Sequence, residues 1–381
     1  MSLPQRIRTT VGFTILLFHG TSLFMSAKSV ESVENAGIIT GRSRLSTRAA
    51  FAVVAIVGIA AMAKPGQALT IIPNFETSFT GFSPSNTTYY EADVNNAINA
   101  IEGDIANPVT VKINFVGQST GLGASGTHRS ALSYSNYVSD LKNNPSASIY
   151  QQIADATLPP VDPVPGNSSG KVSLAEPLLR AVENITSIPT GADATIYLNL
   201  SIVNLDRTVI QNPKHYDLQA VTAHEIDEVL GIGGDGSDLS TNATSNKTGS
   251  IGPLDLFRYS APGVRSYNPA LGVSSYFSIN GGSTNLVNFN SNGSKGSDFG
   301  DWAPTNNQMR PQVQDAYGDP GIAGPNIGRN ELIALNVAGW NLTQTGLSEI
   351  AVPVPRTWGL LAMIGAMGML CLRRKSWPRI K

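Results

Sequence analysis

The chain has 381 residues, a single cysteine and a net charge of −1, and it is long enough to bury a substantial core. Its central part, residues 69–351, carries 13 Lys and Arg against 25 Asp and Glu, a net charge of −12, which argues against a nucleic-acid partner. Because Cys371 lies outside this part, a disulfide, a cysteine nucleophile and a thiolate metal ligand are all excluded there.

The first 68 residues have the layout of a leader that directs export. Three arginines at positions 42, 44 and 48 precede an apolar run from Ala49 to Ala63, and small residues follow. This order predicts a secretory signal peptide that is cleaved after Ala68. The run is short for a membrane span, and an N-terminal membrane anchor is the alternative interpretation.

Residues 69–351 mix helical and strand patterns, which predicts an α+β domain with a mixed sheet and a loop-rich C-terminal subdomain. Apolar residues at helical spacing predict a helix in 91–107, and the glycine-rich segment 117–126 is interpreted as a loop. Further helices are predicted in 133–144, 148–158, 174–185 and 330–340, and strands in 108–116 and 194–205.

Residues 216–234, which read YDLQAVTAHEIDEVLGIGG, predict the helix that carries the chemistry. Asp217 is a suitable N-cap, and three glycines between 231 and 234 end the helix. His224 and Glu228 are four residues apart, so both lie on one face of the helix.

An imidazole nitrogen and a carboxylate oxygen are ordinary zinc ligands, so His224 and Glu228 could hold one ion between them. Glu225 is then placed to act as the general base on the hydrolytic water, which is the division of roles in H-E-x-x-H proteases. Here Glu228 stands in place of the second histidine, and this change shifts the preference toward harder ions such as Mn²⁺ or Ca²⁺.

HEIDEVLGIGG resembles the longer metzincin pattern H-E-I-G-H-x-L-G, with a departure at Glu228. The wider order of segments resembles a family described as metalloproteases in PEP-CTERM bacteria. The matching segments are HEIDEVLG, DLFRYSAPGVRS, YFSINGG, FGDW, VQDAYGDPG and ELIALNVAGW. The resemblance implies a metzincin-like zinc-protease domain with His224 and Glu228 as ligands, Glu225 as base and the DLFRY segment near the site.

The third ligand is open between two aspartates. In metzincins it comes three residues after the glycine that ends the motif, a place that Gly234 occupies here without a ligating side chain. Asp235 follows one residue late, and Asp255 in the DLFRY segment is the favoured candidate. Tyr259 in the same segment is a candidate to stabilise an oxyanion, although a packed aromatic ring is an equal interpretation.

A second ion is considered in the segment 288–301, where Asp298 and Asp301 lie among turns rich in carbonyl groups. Calcium prefers such oxygen ligands. An ordinary loop is the alternative interpretation, and the sequence favours it.

The final residues, 352–381, combine a Pro-containing spacer, an apolar stretch from Trp358 to Leu372 and the basic cluster 373–375. This combination resembles a PEP-CTERM sorting signal, although Pro353-Val354-Pro355 replaces the usual Pro-Glu-Pro. The resemblance implies processing by an exosortase, transient anchoring through a short transmembrane segment, and a cell-surface or extracellular location. A plain C-terminal membrane anchor is the alternative.

These patterns predict a secreted or cell-surface zinc-dependent endopeptidase that hydrolyses peptide bonds with metal-activated water. An extended peptide or protein substrate is expected along the strand 194–205. The alternative is a non-catalytic extracellular matrix or surface protein on a degenerate metalloprotease scaffold. The missing second histidine favours that alternative, whereas Glu225 favours the enzyme, because a binding protein needs no base beside the metal.

Overall fold

The structure is a computed structural model that describes residues 68–164, 170–234, 251–268, 272–291, 298–304 and 312–351. All of them belong to one compact unit that starts at residue 63. The predicted leader before residue 68 and the predicted sorting signal at 352–381 lie outside the described residues. Within these ranges, no helix combines the length and the apolar character of a membrane span.

The central feature is a four-stranded mixed sheet, which gives the domain its α+β character. Its strands are β1 (Thr70–Phe75), β2 (Thr110–Gln118), β3 (Gly123–Thr127) and β6 (Ala194–Asn199), in the spatial order β1-β2-β6-β3. β1, β2 and β6 run parallel, and β3 runs antiparallel to β6. β3 is therefore an edge strand, with one side of its backbone unpaired by the sheet.

Two helices cover the sheet and define the position of the site. They are α2 (Thr87–Asp104) and α6 (Leu218–Val229), which pack against each other, and α6 also packs against β3. The buried face of α2 carries Val94, Ala97 and Ile101, in line with the helical spacing of its sequence. This packing holds one face of α6 beside the edge strand.

Shorter elements complete the first part of the chain. The helices are α1 (Thr77–Thr80), α3 (Tyr134–Lys142), α4 (Ile149–Asp155) and α5 (Glu176–Val182), and the strands are β4 (Arg129–Ser133), β5 (Lys171–Ala175), β7 (Val203–Asn204) and β8 (Tyr216–Asp217). β4 pairs antiparallel with β5, and β7 pairs parallel with β8.

The C-terminal part is rich in loops. A 3₁₀ helix at Pro253–Phe257 leads into a small antiparallel sheet of β9 (Arg258–Ala261), β10 (Val264–Arg265), β11 (Tyr276–Phe277) and β12 (Val287–Asn288), followed by α7 (Arg329–Ala338) and α8 (Gln344–Ile350). Trp302 and Trp340 are fully buried. The Trp340 indole N–H donates to the Leu230 carbonyl at 2.9 Å, which ties the end of α7 to the end of α6.

Two sequence predictions for this region need correction. The strand predicted at 194–205 was expected to bind a peptide along its edge. In the structure it is β6 of the central sheet, which is paired on both sides and therefore has no free edge for a peptide. The glycine-rich segment 117–126, interpreted as a loop, instead contributes the edge strand β3. Gly123–Thr127 reads GASGT, which lacks the apolar alternation that would have indicated a strand.

Candidate metal centre

α6 begins where the sequence predicted and presents its polar face to a cleft. The Asp217 carboxylate caps the helix by accepting hydrogen bonds from the N–H groups of Gln219 and Ala220, at 3.0 and 3.3 Å. His224 and Glu228 then lie one turn apart, with His224 Nε2 3.4 Å from Glu228 Oε1. The helix therefore brings two candidate ligands together.

Asp301 supplies a third candidate ligand from the segment 298–304. Its Oδ2 lies 3.9 Å from His224 Nε2. One ligand atom each from His224, Glu228 and Asp301 falls within 4.8 Å of the other two, and no other such group of three occurs within the described ranges. This spacing allows one ion to contact all three side chains after small adjustments.

Each of these side chains is oriented by a further hydrogen bond. His224 Nδ1 lies 2.9 Å from the Val313 carbonyl oxygen, so it donates its proton there and directs Nε2 toward the cluster. Ser125 on β3 donates to Glu228 Oε2 at 2.6 Å, which leaves Oε1 facing His224. Supporting bonds of this kind fix ligand orientation at metal centres.

Asp301 is held in the same manner. Its Oδ1 accepts hydrogen bonds from the Gly234 N–H at 2.8 Å and from Gln314 Nε2 at 2.9 Å, so Oδ2 is the oxygen that faces His224. The Gln314 amide nitrogen also lies 3.4 Å from His224 Nε2. Gln314 is completely buried and thus joins two members of the group from behind.

The turn after α6 is in close contact with the segment that carries Asp301. Gly300 packs so tightly against the backbone of Gly233 and Gly234 that any side chain at position 300 would collide with it. This contact places the turn after α6 directly against the segment that carries Asp301. The glycine turn therefore contributes a backbone N–H that positions the third candidate ligand, and no ligand of its own.

The charges of the cluster shift the pKa of His224. Burial by itself lowers this pKa, because it disfavours the imidazolium ion. The nearby carboxylates, led by Asp301, act in the opposite direction and raise the pKa of His224 well above its usual value. A metal ion has to displace a proton from this imidazole, so its affinity should fall as the pH falls.

The pKa values of two carboxylates in the cleft are raised as well. Burial, followed by the charge of Glu228, raises the pKa of Asp301 to about 6. The same two causes raise the pKa of Glu225 well above its usual value. A divalent cation in the cluster would relieve this repulsion, so the charge balance of the group favours such an ion.

Glu225 lies beside the cluster and lines the same cleft. It packs against Gly123 of β3, where an added Cβ would collide with Glu225 Oε1. Its Oε2 is buried and accepts no hydrogen bond within the described part of the chain. Glu225 therefore has a carboxylate oxygen that no donor among the described residues occupies.

The cleft has a volume of about 370 Å³. It is lined by residues of α6, by residues 122–125 from the β3 region and by several residues between 312 and 325. The polar face of α6 is thus open to a ligand that lies along the edge strand.

Asp255, the favoured third ligand in the sequence, is not brought to this group. It lies in the 3₁₀ helix, where its Oδ2 accepts a hydrogen bond from the Gly252 N–H at 2.9 Å. Its Oδ1 lies 3.5 Å from the buried Arg258 Nε, which balances its charge. Among the described residues, Asp301 rather than Asp255 lies close to His224 and Glu228. The other candidate, Asp235, lies outside the described residues.

Tyr259 is also placed away from the cleft-lining residues. It lies on β9 opposite Tyr276, is 2% exposed, and has the Arg265 guanidinium 4.9 Å from its ring centre. Its surroundings fit the packed aromatic ring that the sequence left open, and they offer no route to a reacting carbonyl.

Asp298 and Asp301, the two aspartates considered for calcium, have different positions in the structure. Asp301 joins His224 and Glu228, whereas Asp298 lines the same cleft without entering that group. Sequence reasoning noted Asp301 but missed its partnership with His224, and it missed Gln314 altogether. The FGDW and VQDAYGDPG segments contain both residues and were the available signal.

No protein-family model matches the chain, and the searches of curated proteins and of solved structures likewise return no match.

Proposed function

We propose that this chain is a metal-dependent endopeptidase in which His224, Glu228 and Asp301 bind the ion and Glu225 is the general base. The observation that carries the proposal is the convergence of these three ligands beside a buried carboxylate in an open cleft. A helix that spelled the motif by chance would have no reason to meet a distant aspartate at this spacing.

Zinc is the ion that we propose. Imidazole and carboxylate groups are both ordinary zinc ligands, and the Nε2 of His224, once deprotonated, suits zinc better than calcium, which prefers oxygen ligands. When bound, such an ion polarises a carbonyl group and makes water more acidic. The two carboxylate ligands reduce the net charge of the centre compared with a site of two histidines.

Glu225 provides the proton transfers in this proposal. Its raised pKa suits a group that first accepts a proton from water and then returns it to the leaving amine. Its contact with Gly123 keeps the carboxylate at the side of the cleft formed by β3. The proposed reaction therefore takes place between α6 and the edge strand.

The substrate is proposed to be an extended peptide that pairs with the free edge of β3. An edge strand offers unpaired N–H and C=O groups, which bind a peptide backbone irrespective of its sequence. β3 lies beside the motif helix, and Ser125 on this strand hydrogen-bonds Glu228. A peptide on this edge would present a carbonyl to Glu225 and the ligands.

We include a metzincin-like arrangement and export in the proposal. The mixed sheet with an antiparallel edge strand beside the motif helix supports the first, in line with the resemblance of HEIDEVLGIGG to the metzincin pattern. The leader and the sorting signal in the sequence support export to the cell surface. Tyr259 is left out of the proposed mechanism because it does not line the cleft.

The test combines metal analysis with a peptidase assay on the purified protein. We expect one zinc per chain by mass spectrometry and hydrolysis of casein or a quenched-fluorescent peptide. Glu225→Gln should keep the zinc and lower the rate about 100- to 10,000-fold, as expected for loss of a general base. No stoichiometric metal after zinc is added would overturn the proposal. Stoichiometric zinc without hydrolysis would favour the non-catalytic surface protein.

A further inference from the structure

The cleft is strongly asymmetric in charge. Its lining contains seven acidic residues, but no Lys or Arg within the described part of the chain. The acidic residues are Asp217, Glu225, Glu228, Asp298, Asp301, Asp315 and Asp319. An acidic cleft attracts cations and repels anions, so the charge of a substrate should affect its binding.

Four of these carboxylates already have assigned roles. Glu228 and Asp301 are the proposed metal ligands, and Glu225 is the proposed base. Asp217 caps α6 and pairs with the Arg207 guanidinium at 2.6 Å. Among the other three, Asp315 and Asp319 come from the segment 312–325 and are the candidates to explain selectivity.

Of Asp315 and Asp319, Asp315 is the better-supported candidate to bind a cationic group. It is 7% exposed and lines the cleft, and its Oδ2 accepts a hydrogen bond from the Gln312 N–H at 2.9 Å. Its Oδ1 is buried and has no hydrogen-bond partner within the described residues. Burial raises the pKa of Asp315 to about 7, with smaller contributions from the charge of Glu331 and then that of Asp319. An unsatisfied buried carboxylate is costly, and a cation from a ligand would reduce that cost.

Asp319 extends the same side of the cleft to the solvent. It is exposed and lines the cleft, whereas Ala316 and Ile322 add apolar surface nearby. Lys and Arg side chains place an apolar stem against such surface and direct a charged end to a carboxylate. This mixture of apolar surface and acid therefore suits a long cationic side chain.

A second metal ion fits this side of the cleft less well. Three ligand atoms close enough for one ion occur only at His224, Glu228 and Asp301 among the described residues. Asp315 and Asp319 do not belong to such a group. A mobile side-chain cation needs no fixed coordination geometry, so it matches two separated carboxylates better than a bound ion does.

We propose that this cleft selects peptides that carry a Lys or Arg side chain, and that Asp315 and Asp319 bind its charged group. This inference rests on the proposed peptidase function, because it assigns specificity to the same cleft. It adds a substrate class that the metal centre alone does not define. The peptide backbone would pair with β3 while the cationic side chain binds to Asp315 and Asp319.

Peptide binding tests the inference without requiring hydrolysis. Fluorescein-labelled dodecapeptides of Ala, Gly and Ser, identical except for one central Lys, Gln or Glu, are titrated with the Glu225→Gln protein. Fluorescence anisotropy should give a Kd for the Lys peptide about tenfold below that of the Gln peptide, as a charge-assisted hydrogen bond would produce. The Glu peptide should bind more weakly than the Gln peptide.

Charge-removing variants locate the preference. Adding Asp319→Asn or Asp315→Asn to the Glu225→Gln protein should each reduce the Lys-to-Gln affinity ratio by about threefold. Glu183→Gln is the matched control, because Glu183 is exposed and does not line the cleft. It should leave the ratio unchanged. Asp319 is exposed, so its variant should fold normally even if the buried Asp315 does not tolerate substitution.

The outcomes separate this inference from the function on which it rests. Equal affinities for the three peptides, or a ratio that neither Asp variant changes, would overturn the specificity proposal. Stoichiometric calcium binding that Asp315→Asn abolishes would overturn it in favour of a second ion. A lysine preference that depends on Asp315 and Asp319, in a zinc-containing protein that cleaves no peptide, would support the cleft assignment and refute the peptidase.

Discussion

Two aspartates in the C-terminal part of the chain are equally buried but differ in the charged groups beside them. Asp255 and Asp301 are 2% and 3% exposed, and each accepts a hydrogen bond from a glycine N–H. Asp255 has the guanidinium of Arg258 beside it, within 3.5 Å. Among the described residues, Asp301 bonds to no Lys or Arg side chain and instead faces His224.

This difference separates a carboxylate that stabilises the fold from one that is available for a ligand. Arg258 also donates to the Phe299 carbonyl at 2.7 Å and to Ser275 Oγ at 3.0 Å, so the ion pair of Asp255 belongs to a larger buried network. Among the described residues, His224 is the group that can balance the charge of Asp301, and a bound cation could also balance it. The partner of a buried carboxylate is thus a better guide to its role than its burial.

The largest expected effect comes from removing each aspartate in turn. Asp301→Ala should weaken zinc binding by more than about 100-fold, the upper range seen when even a supporting residue is lost. Asp255→Ala should retain one zinc per chain but lose about 3 kcal/mol of unfolding free energy, because it leaves Arg258 buried and unpaired. Zinc titration with a competing chelator and urea unfolding measure the two effects.

The reverse pattern would break the comparison. If Asp255→Ala lost its zinc at full stability while Asp301→Ala kept it, Asp255 would be the ligand and the placement of Asp301 would be irrelevant to the metal.

A smaller effect is expected from the residue that supports Asp301. Gln314→Leu removes the hydrogen bond to Asp301 Oδ1 and should lower zinc affinity about 10- to 100-fold. Gln151→Leu is a matched control, since Gln151 is also completely buried but lies on α4. Equal zinc affinities in the two variants would show that Gln314 does not orient the ligand.

Asp93 is a third buried aspartate, and it can be compared with Asp255 and Asp301 by the charge of its neighbours. It is buried on α2, and burial, followed by the charge of Asp217, raises its pKa to about 7, while Arg207 acts in the opposite direction. The pKa of Asp93 is therefore higher in the folded protein than the unfolded value of 3.8. Protonated Asp93 contributes to the stability of the fold; this contribution is fully present below about pH 4 and is lost as the pH rises through 7.

Asp93→Asn should remove this dependence. Relative to the unchanged protein, the variant should gain about 1 kcal/mol of stability between pH 5 and pH 8, a modest value because Arg207 and solvent screen the charge. Urea unfolding at both pH values measures the change. A constant difference across this range would mean that Arg207 fully balances Asp93, as Arg258 balances Asp255.

The sequence predicted the parts of the site that are local. Helical spacing, an aspartate N-cap and a glycine stop define α6, and the four-residue spacing then places His224 and Glu228 together. The structure agrees on all of these points because neighbouring residues determine them.

The parts that depend on distant contacts were not predictable in this way. Asp301 reaches His224 through tertiary packing, and no local spacing distinguishes it from Asp255. β3 has a strand conformation because it pairs with β6, although GASGT has little intrinsic preference for a strand. Its glycine at position 123 is needed for the close approach of Glu225, so a tertiary contact accounts for a residue that weakens the strand pattern.

The close packing of Gly300 against the turn after α6 has a consequence for recognising related chains. H-E-x-x-E alone fixes only three positions and arises often by chance. The contact couples it to G-x-G-G at 231–234, to Gly300-Asp301-Trp302, and through Asp301 to Val313-Gln314. A genome query that requires all of these blocks in order would reject helices that only spell the motif, since those lack the distant aspartate and glutamine.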